Sequence, residues 1–121
     1  DGFVLVVPKG KEAEYEKMAN DGRDSWMKHG ALQYFECRGE DLKHQEMGDE
    51  KSRAFPEMTN ASIGDNVWFS FIVFESKEHR DEVNTKVIKE MNEAFLDEPN
   101  FEMPADMTKM AYGGFEIAVE G

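Results

Sequence analysis

The densest group of chemistry-bearing side chains in the sequence consists of His79, Arg80, Asp81 and Asn84. A histidine, with an ordinary pKa of about 6.5, can act as a general base near neutral pH. An arginine can bind a ligand carboxylate through its planar guanidinium group. The alternative, which we favour, is that Arg80 and Asp81 form a surface ion pair while His79 lies at the sheet edge, because no nucleophile or second base has a fixed spacing from them.

Two further candidates, Trp26 and His29, lie one helical turn apart and could flank a pocket, although a core tryptophan and a helix-end histidine are more usual. Other candidates lie on predicted strands, where a mostly apolar wall with a few polar groups is typical of small-molecule pockets. The alternative is that these polar groups lie at the sheet rim and bond to water. The predicted ligand-binding residues are Trp26, His29, Tyr34, Glu36, Trp68, Ser70, Arg80 and Asn84, and the catalytic candidates are His79 and Tyr112.

The sequence predicts no metal site and no cofactor. His29, His44 and His79 are far apart, and neither a Cys-x-x-Cys nor a His-x-His spacing occurs. No glycine-rich loop of the phosphate-binding type follows a predicted strand. Cys37 lies within a predicted strand, where a small core residue is more usual than a reactive thiolate.

Composition excludes several classes of partner. The chain has 121 residues and a formal net charge of −12, which argues against nucleic acid and anionic membrane surfaces as partners, because both require a basic face. No apolar run approaches the ~20 residues of a membrane span, and no basic segment of a signal peptide is recognisable. The single cysteine fits a reducing compartment. We therefore predict a cytoplasmic protein with one domain, residues 1–121.

Residues 67–75 form the longest run of β-branched and aromatic side chains, which predicts a strand buried on both faces. Residues 2–8 are also apolar on both faces and predict a second central strand. Apolar residues at steps of three and four predict one helix at 11–29 and another from the N-cap Ser76 to about residue 92. An edge strand at 31–39, a long polar connection at 40–66, a loop at 96–106 and a last strand at 110–120 complete the chain.

This order is β-α-β-β-α-β, the ferredoxin-like pattern of an α+β fold. Right-handed crossovers place the first and third strands in the centre of a four-stranded antiparallel sheet with the order 4-1-3-2. Two helices can cover one face of such a sheet, and its other apolar face then needs a cover from elsewhere. We therefore predict a homodimer in which two sheets pack face to face and form a dimeric α/β barrel.

Side chains alternate between the two faces of a strand, so the same pattern assigns residues to faces. We expect Phe115, Ile117 and Val119 to face the helices, and the candidate binding residues on the strands to face the partner. The residues assigned to the partner face are Tyr34, Glu36, Trp68, Ser70, Tyr112, Gly114 and Glu116.

Several blocks of sequence agree with one family. They are Asp-Gly-Phe-Val-Leu at 1–5, Trp-Met-Lys-His-Gly-Ala-Leu at 26–32, Tyr34 with Glu36 and Cys37, Ser-Lys-Glu-His-Arg-Asp-Glu-Val-Asn at 76–84 and Met-Ala-Tyr-Gly-Gly-Phe at 110–115. In these blocks the chain resembles the DUF1428 family. The resemblance implies the fold of a dimeric α/β barrel and no particular biochemical function. Barrels of this superfamily include small monooxygenases, isomerases and haem-degrading enzymes, but a shared fold does not determine function.

These observations together predict a homodimer that binds a small organic molecule. One alternative is a cofactor-free enzyme similar to the monooxygenases or isomerases, for which we expect a closed pocket that contains a titratable group with a shifted pKa. The other alternative is a non-catalytic stress-associated or structural module, for which we expect a filled barrel without such a pocket.

Overall fold

The computed structural model of the protein describes residues 1–121, apart from the side chain of Met47. Among the described residues, no helix combines the length and the apolar character that a bilayer crossing requires. The helices are α1 (Glu12–Lys28), α2 (Phe55–Met58) and α3 (Lys77–Asp97), and a short 3-10 helix spans Met107–Lys109. The strands are β1 (Gly2–Val7), β2 (Gln33–Arg38), β3 (Glu46–Met47), β4 (Glu50–Lys51), β5 (Asn66–Val73) and β6 (Ala111–Gly113).

The main sheet contains four strands in the order β2-β5-β1-β6, and all neighbouring strands are antiparallel. The register places Trp68 of β5 opposite Leu5 of β1. Ser70 lies between Phe3 of β1 and Glu36 of β2. The prediction of an α+β fold with a four-stranded antiparallel sheet is confirmed, and α2 is an additional helix within the long polar connection.

Local sequence explains where the two long helices begin and end. Ser76 is the N-cap of α3, since its side chain accepts a hydrogen bond from the backbone N–H of His79 at 3.0 Å. α1 ends at Lys28, and Gly30 follows with a φ of 114°, a left-handed conformation that favours glycine. α3 continues to Asp97, about one turn beyond its predicted end.

The core lies between the sheet and α1. Tyr15 of α1 is buried against Leu5 and Trp68 of the two central strands. The rings of Tyr15 and Trp68 meet edge to face with their centroids 4.8 Å apart, a geometry that adds about 0.5–1.5 kcal/mol to the stabilisation from burial. α3 packs beside α1 and buries Val83 and Val87.

The prediction of which strand residues face the helices is wrong. Trp68 and Ser70 are each 3 % exposed and lie on the face that α1 covers. The register places Tyr34, Glu36 and Tyr112 on that same face. Alternation separates the two sets of side chains, but both sets on β5 are apolar, so hydrophobicity alone does not identify the helix side.

The opposite face of the sheet bears three phenylalanines that remain partly exposed. The ring centroid of Phe71 lies 5.0 Å from that of Phe35 and 5.7 Å from that of Phe69. Phe35 is 45 % exposed and Phe69 is 44 % exposed. At one end of this face Val6 and Val67 are buried, and α2 packs next to β5. We call the surface formed by Phe35, Phe69 and Phe71 the aromatic face.

The last strand is shorter than predicted. β6 contains only Ala111–Gly113, because its last residue pairs with Gly2, which is the first residue of β1. The expectation that Phe115, Ile117 and Val119 face the helices is wrong, since they are 78 %, 59 % and 91 % exposed. Gly114 and Glu116, which the sequence pattern assigns to the partner face, also lie beyond the strand.

The long connection between β2 and β5 contains the β3–β4 hairpin and α2. Its two ends are joined, since the carbonyl oxygen of Gly39 accepts a hydrogen bond from the side-chain amide of Asn66 at 3.2 Å. The N–H of Gly39 donates to the carbonyl oxygen of Val67 at 2.9 Å. A Cβ at position 39 would lie 2.5 Å from that carbonyl oxygen, so this close approach of two backbones requires glycine.

Candidate functional site

A cleft of about 480 Å³ opens between α1 and β2 on the helix side of the sheet. Its volume lies within the range of about 300–1,000 Å³ that is typical of small-molecule pockets. We call it the α1–β2 cleft. Its lining includes Glu16, Asn20, Tyr34, Glu36, Arg38 and Trp68.

Glu36 is the half-buried carboxylate of the cleft. The hydroxyl group of Tyr34 donates to its Oε1 at 2.7 Å, and the hydroxyl group of Tyr15 donates to its Oε2 at 2.9 Å. Burial raises the pKa of the Glu36 carboxyl, and the two hydrogen bonds oppose that shift. Burial and the nearby carboxylate also raise the pKa of both tyrosines, so their hydroxyl groups stay protonated and act as donors.

Arg38 joins β2 to α1 at the cleft. Its guanidinium donates to Glu16 Oε2 at 2.7 Å, and its Nε lies 3.9 Å from Glu12 Oε2. Arg38 Cζ lies 5.1 Å from the ring centroid of Trp68, which is within cation–π range. Trp68 in turn donates from its indole Nε1 to Glu12 Oε1 at 3.2 Å. The position of each of these polar groups is therefore fixed by a second group.

A second polar network lies beside the cleft and joins α1 to α3. The ring of Trp26 lies 5.8 Å from that of Tyr34, and its Nε1 donates to Asn84 Oδ1 at 3.0 Å. Asn84 Nδ2 donates to Asp1 Oδ2 at 3.0 Å, and Arg80 Nη1 lies 3.6 Å from Asp1 Oδ1. The structure thus brings Trp26, Asn84 and Arg80 together next to the cleft.

Both predicted site histidines have hydrogen-bond partners outside the cleft. His29 Nε2 lies 2.6 Å from Glu90 Oε2, which also accepts a hydrogen bond from Lys28 Nζ at 3.0 Å. These two contacts lower the pKa of Glu90 to about 2. His79 Nδ1 accepts a hydrogen bond from the backbone N–H of Glu75 at 3.0 Å, next to the N-cap of α3. Each ring therefore has a structural partner away from the cleft.

Tyr112 and Ser70 share the helix side of the sheet with the cleft residues. Tyr112 is 54 % exposed and packs against Phe3, with ring centroids 4.8 Å apart. Ser70 is buried opposite Glu36. Among the described residues that line the cleft, neither catalytic candidate, His79 or Tyr112, is present.

Sequence reasoning missed the wall that α1 contributes. Glu12, Glu16, Asn20 and Arg23 follow one another at steps of four, four and three residues, which places them on one side of a helix. Such a polar stripe is usually a solvated helix face. Its position beside the apolar stripe that begins at Tyr15 is the signal that could have identified it as a wall of the cleft.

Metal ligands and the single cysteine complete the list of predicted site features. Within the described side chains, no group of three His, Cys, Asp or Glu residues is close enough to ligate one. The expectation that Cys37 belongs to the core is wrong, because it is exposed. Cys37 lies on the edge strand β2 opposite Phe69 of β5, so its side chain is on the same side of the sheet as the aromatic face.

Comparison with known proteins identifies a family. A family model described as "Protein of unknown function (DUF1428)" matches residues 1–107. The chain is similar to the proteins called "Uncharacterized protein YbaA" of Escherichia coli strain K12 and of Shigella flexneri, with 35 % identity over 120 residues in each case. The alignment covers 99 % of this chain and 96 % of each relative. The chain therefore belongs to the DUF1428 family, as the resemblance in its sequence predicts.

Proposed function

We propose that this protein is a homodimer that binds a small organic molecule in the α1–β2 cleft. The observation that carries the proposal is the presence of aromatic surface and a half-buried carboxylate in one cleft. Tyr34 and the small exposed part of Trp68 supply the aromatic surface, and Glu36 supplies the carboxylate. Apolar walls with a few convergent polar groups are typical of sites that bind small molecules. We further propose that residues 1–121 form one domain of a cytoplasmic protein.

The polar groups of the cleft have fixed positions, which supports a binding role. Both oxygens of Glu36 accept hydrogen bonds from tyrosine hydroxyl groups. Arg38 is positioned by its ion pair with Glu16 and by the ring of Trp68. Binding then orders fewer side chains, and the entropic cost of association falls accordingly.

The aromatic face supports the homodimer. Its three rings expose roughly 200–300 Å² of apolar surface, given that an aromatic side chain buries about 150–250 Å² when it is fully covered. The 114–121 segment adds Phe115, Ile117 and Val119, which expose on the order of 400 Å² more on the same basis. Together the two surfaces approach the ~800 Å² per partner of a standard interface. We therefore propose that both surfaces belong to it.

The 114–121 segment begins at the aromatic face. Gly2 pairs with Phe71, so a Cβ on Gly2 would project from that side of the sheet, where it would lie 3.2 Å from the ring of Phe115. Ile117 and Val119 continue an alternation that is typical of a strand with one covered face. In the proposed dimer, two ferredoxin-like sheets face each other and form a dimeric α/β barrel. Each has the order 4-1-3-2 when its four strands β1, β2, β5 and β6 are counted along the chain. The 114–121 segments help to cover the phenylalanines between the two sheets.

A cleft-filling substitution tests the binding function. Asn20 lines the cleft, whereas Lys17 is exposed on the same helix, so Lys17→Trp is a matched control for Asn20→Trp. We expect fragments that bind the wild-type protein in an NMR screen to lose about tenfold or more in affinity in N20W, and to stay within about twofold in K17W. A screen without binders, or binders that N20W leaves unchanged, would refute the proposal.

A cofactor-free enzyme is the second candidate, and one observation favours it. Burial raises the pKa of Glu36, and a carboxyl group of this kind in a cleft can transfer protons closer to neutral pH. If it is an enzyme, the wild-type protein should convert a cleft-binding fragment that Glu36→Gln binds without conversion. Product analysis by mass spectrometry is the measurement. Binding without conversion by both proteins would instead support a non-catalytic module.

A further inference from the structure

We infer that the molecule bound in the α1–β2 cleft carries a protonated amine, which Glu36 and the ring of Tyr34 bind together. The inference rests on the proposed binding function and adds the chemical class of the ligand. It follows from the distribution of charge around the cleft. Among the described side chains, both arginines that line it have carboxylate partners, whereas Glu36 has no cationic partner.

The arginines of the cleft are already neutralised. Arg38 donates to Glu16 at 2.7 Å and has Glu12 at 3.9 Å. Arg23 donates from Nε and Nη2 to Asp24 Oδ1 at 3.1 Å and 2.9 Å. Each guanidinium keeps N–H groups that these contacts do not use, but an anionic ligand bound to them would lie close to the partner carboxylates, whose charge repels it. The two arginines therefore do not make the cleft a site for anions.

Glu36 has only neutral hydrogen-bond donors. The hydroxyl groups of Tyr15 and Tyr34 bond to its two oxygens. In the described part of the chain, no nitrogen of a lysine, arginine or histidine side chain lies within 4.0 Å of this carboxylate. Each carboxylate oxygen can accept a second hydrogen bond. An ammonium group can therefore bind without displacing a tyrosine, and a charge-assisted hydrogen bond is about twice as strong as a neutral one.

One aromatic wall favours the same class of ligand. Arg38 already lies over the face of the buried Trp68 ring, with its Cζ 5.1 Å from the ring centroid, so the ring that a ligand cation can approach is that of Tyr34, which lines the cleft beside Glu36. An aromatic ring attracts a cation above its face, and the attraction grows as the site is desolvated. A neutral ligand would leave the charge of Glu36 uncompensated, and an anionic ligand would be repelled by it.

A series of three matched compounds tests the inference on the unmodified protein. The compounds are 2-phenylethylamine, 2-phenylethanol and 3-phenylpropionate, titrated while the indole N–H signal of Trp68 is followed by NMR. Trp26→Phe assigns that signal because it leaves one indole in the chain. We expect the amine to bind about tenfold or more tightly than the alcohol, and the carboxylate to give no saturable shift. Equal or tighter binding of the alcohol or the carboxylate would overturn the inference.

Two substitutions locate the amine at Glu36. Glu36→Gln removes the charge and keeps a hydrogen-bond acceptor, and Glu16→Gln makes the same change at a lining carboxylate that Arg38 neutralises. We expect 2-phenylethylamine to bind about tenfold or more weakly to E36Q and within about threefold of wild type to E16Q. Equal losses in both variants would overturn the inference. Circular dichroism shows whether each variant is folded. If E36Q does not fold, the compound series on the wild-type protein decides whether the inference holds.

The cleft-filling variant separates failure of this inference from failure of the binding function. The net charge of −12 attracts amines to the whole surface, so specific binding of 2-phenylethylamine must be lost in Asn20→Trp and retained in Lys17→Trp. Neutral compounds that bind wild type more tightly than the amine does, and that lose this binding in N20W, would overturn the inference of an amine ligand and leave the binding function intact. If none of the compounds loses affinity in N20W, both proposals are overturned.

Discussion

The two faces of the sheet differ in how their aromatic side chains are accommodated. On the helix side, Tyr34 and Trp68 are packed against other residues and donate hydrogen bonds to carboxylates of β2 and α1. On the aromatic face, Phe35, Phe69 and Phe71 contact one another and remain partly exposed. Buried tyrosine and tryptophan need a polar partner, whereas phenylalanine needs only a cover. In β2 and β5, tyrosine and tryptophan therefore lie on the side that the helices cover, and the phenylalanines lie on the other side.

The same difference separates the proposed binding site from the proposed dimer interface. The helix side contains charged groups that can select a ligand, and the aromatic face offers apolar area of the kind that a second copy can bury. Four experiments test this contrast.

The largest effect should come from truncating an aromatic residue on the helix side. Trp68→Ala removes the edge-to-face contact with Tyr15 and leaves a cavity, so we expect the free energy of unfolding to fall by about 3–5 kcal/mol. Phe69→Ala, on the next residue of β5, should cost the monomeric protein about 1 kcal/mol or less because Phe69 is 44 % exposed. Urea unfolding followed by circular dichroism measures both. Equal losses would contradict the contrast between the faces.

The next effect concerns assembly. Phe69→Asp places a charge in the proposed interface and should weaken dimerisation by about 100-fold or more, with the helical signal unchanged. Ile63→Asp is the control, since Ile63 is fully exposed and lies outside the main sheet. Analytical ultracentrifugation over a range of concentrations measures the dimer dissociation constant. A wild-type protein that is monomeric, or equal effects of the two substitutions, would contradict the proposed dimer.

A smaller effect should appear in the pH dependence of stability. Burial raises the pKa of Glu36 in the folded state above its value in the unfolded chain, so the folded protein binds this proton more tightly. The associated stability is fully present below the unfolded pKa of about 4.3 and is lost as the pH rises through the folded pKa. The free energy of unfolding of wild type relative to Glu36→Gln should therefore fall as the pH is raised through this window. A constant difference across the urea titrations would argue against a buried carboxyl.

The smallest effect is a pH dependence of stability with the opposite sign, and it comes from the surface carboxylate of Glu90. His29 and Lys28 lower the pKa of Glu90 to about 2, so its stabilising charge is present above the unfolded pKa and lost as the pH falls towards 2. The melting temperature of wild type relative to Glu90→Gln should decrease over that range. Because Glu90 is accessible to solvent, added salt should reduce the difference. A difference that grows as the pH falls would contradict the ion pair.

Sequence patterns predicted the features that depend on neighbouring residues. Ser76 and Gly30 marked helix ends because capping uses the side chain or backbone of the same segment. Several hydrogen bonds in and beside the cleft join residues far apart, such as Tyr15 to Glu36 across 21 positions and Trp26 to Asn84 across 58. No period of three, four or two residues encodes such contacts. Sequence patterns therefore identified candidate site residues but not the residues to which they bond.

The assignment of faces failed for a related physical reason. On β5, both alternating sets are apolar, and the contact of Trp68 with Tyr15 determines which set faces α1. The alternation of Phe115, Ile117 and Val119 predicts a strand that continues to residue 120, whereas β6 ends at Gly113. It did not indicate how far the ladder continues, because a strand needs a partner and β6 reaches the first residue of β1 at Gly113.

The hydrogen bond between Gly39 and Asn66 has a practical consequence for protein engineering. It closes the neck of the β2–β5 connection, so residues inserted at the β3–β4 turn would lengthen a loop whose ends already meet. Each doubling of loop length costs only about 0.6 kcal/mol in closure entropy. A peptide epitope grafted beside Gly48 would therefore leave this closure intact. A library should keep Gly39, which the close backbone approach requires to be glycine, and Asn66, whose side chain donates the hydrogen bond.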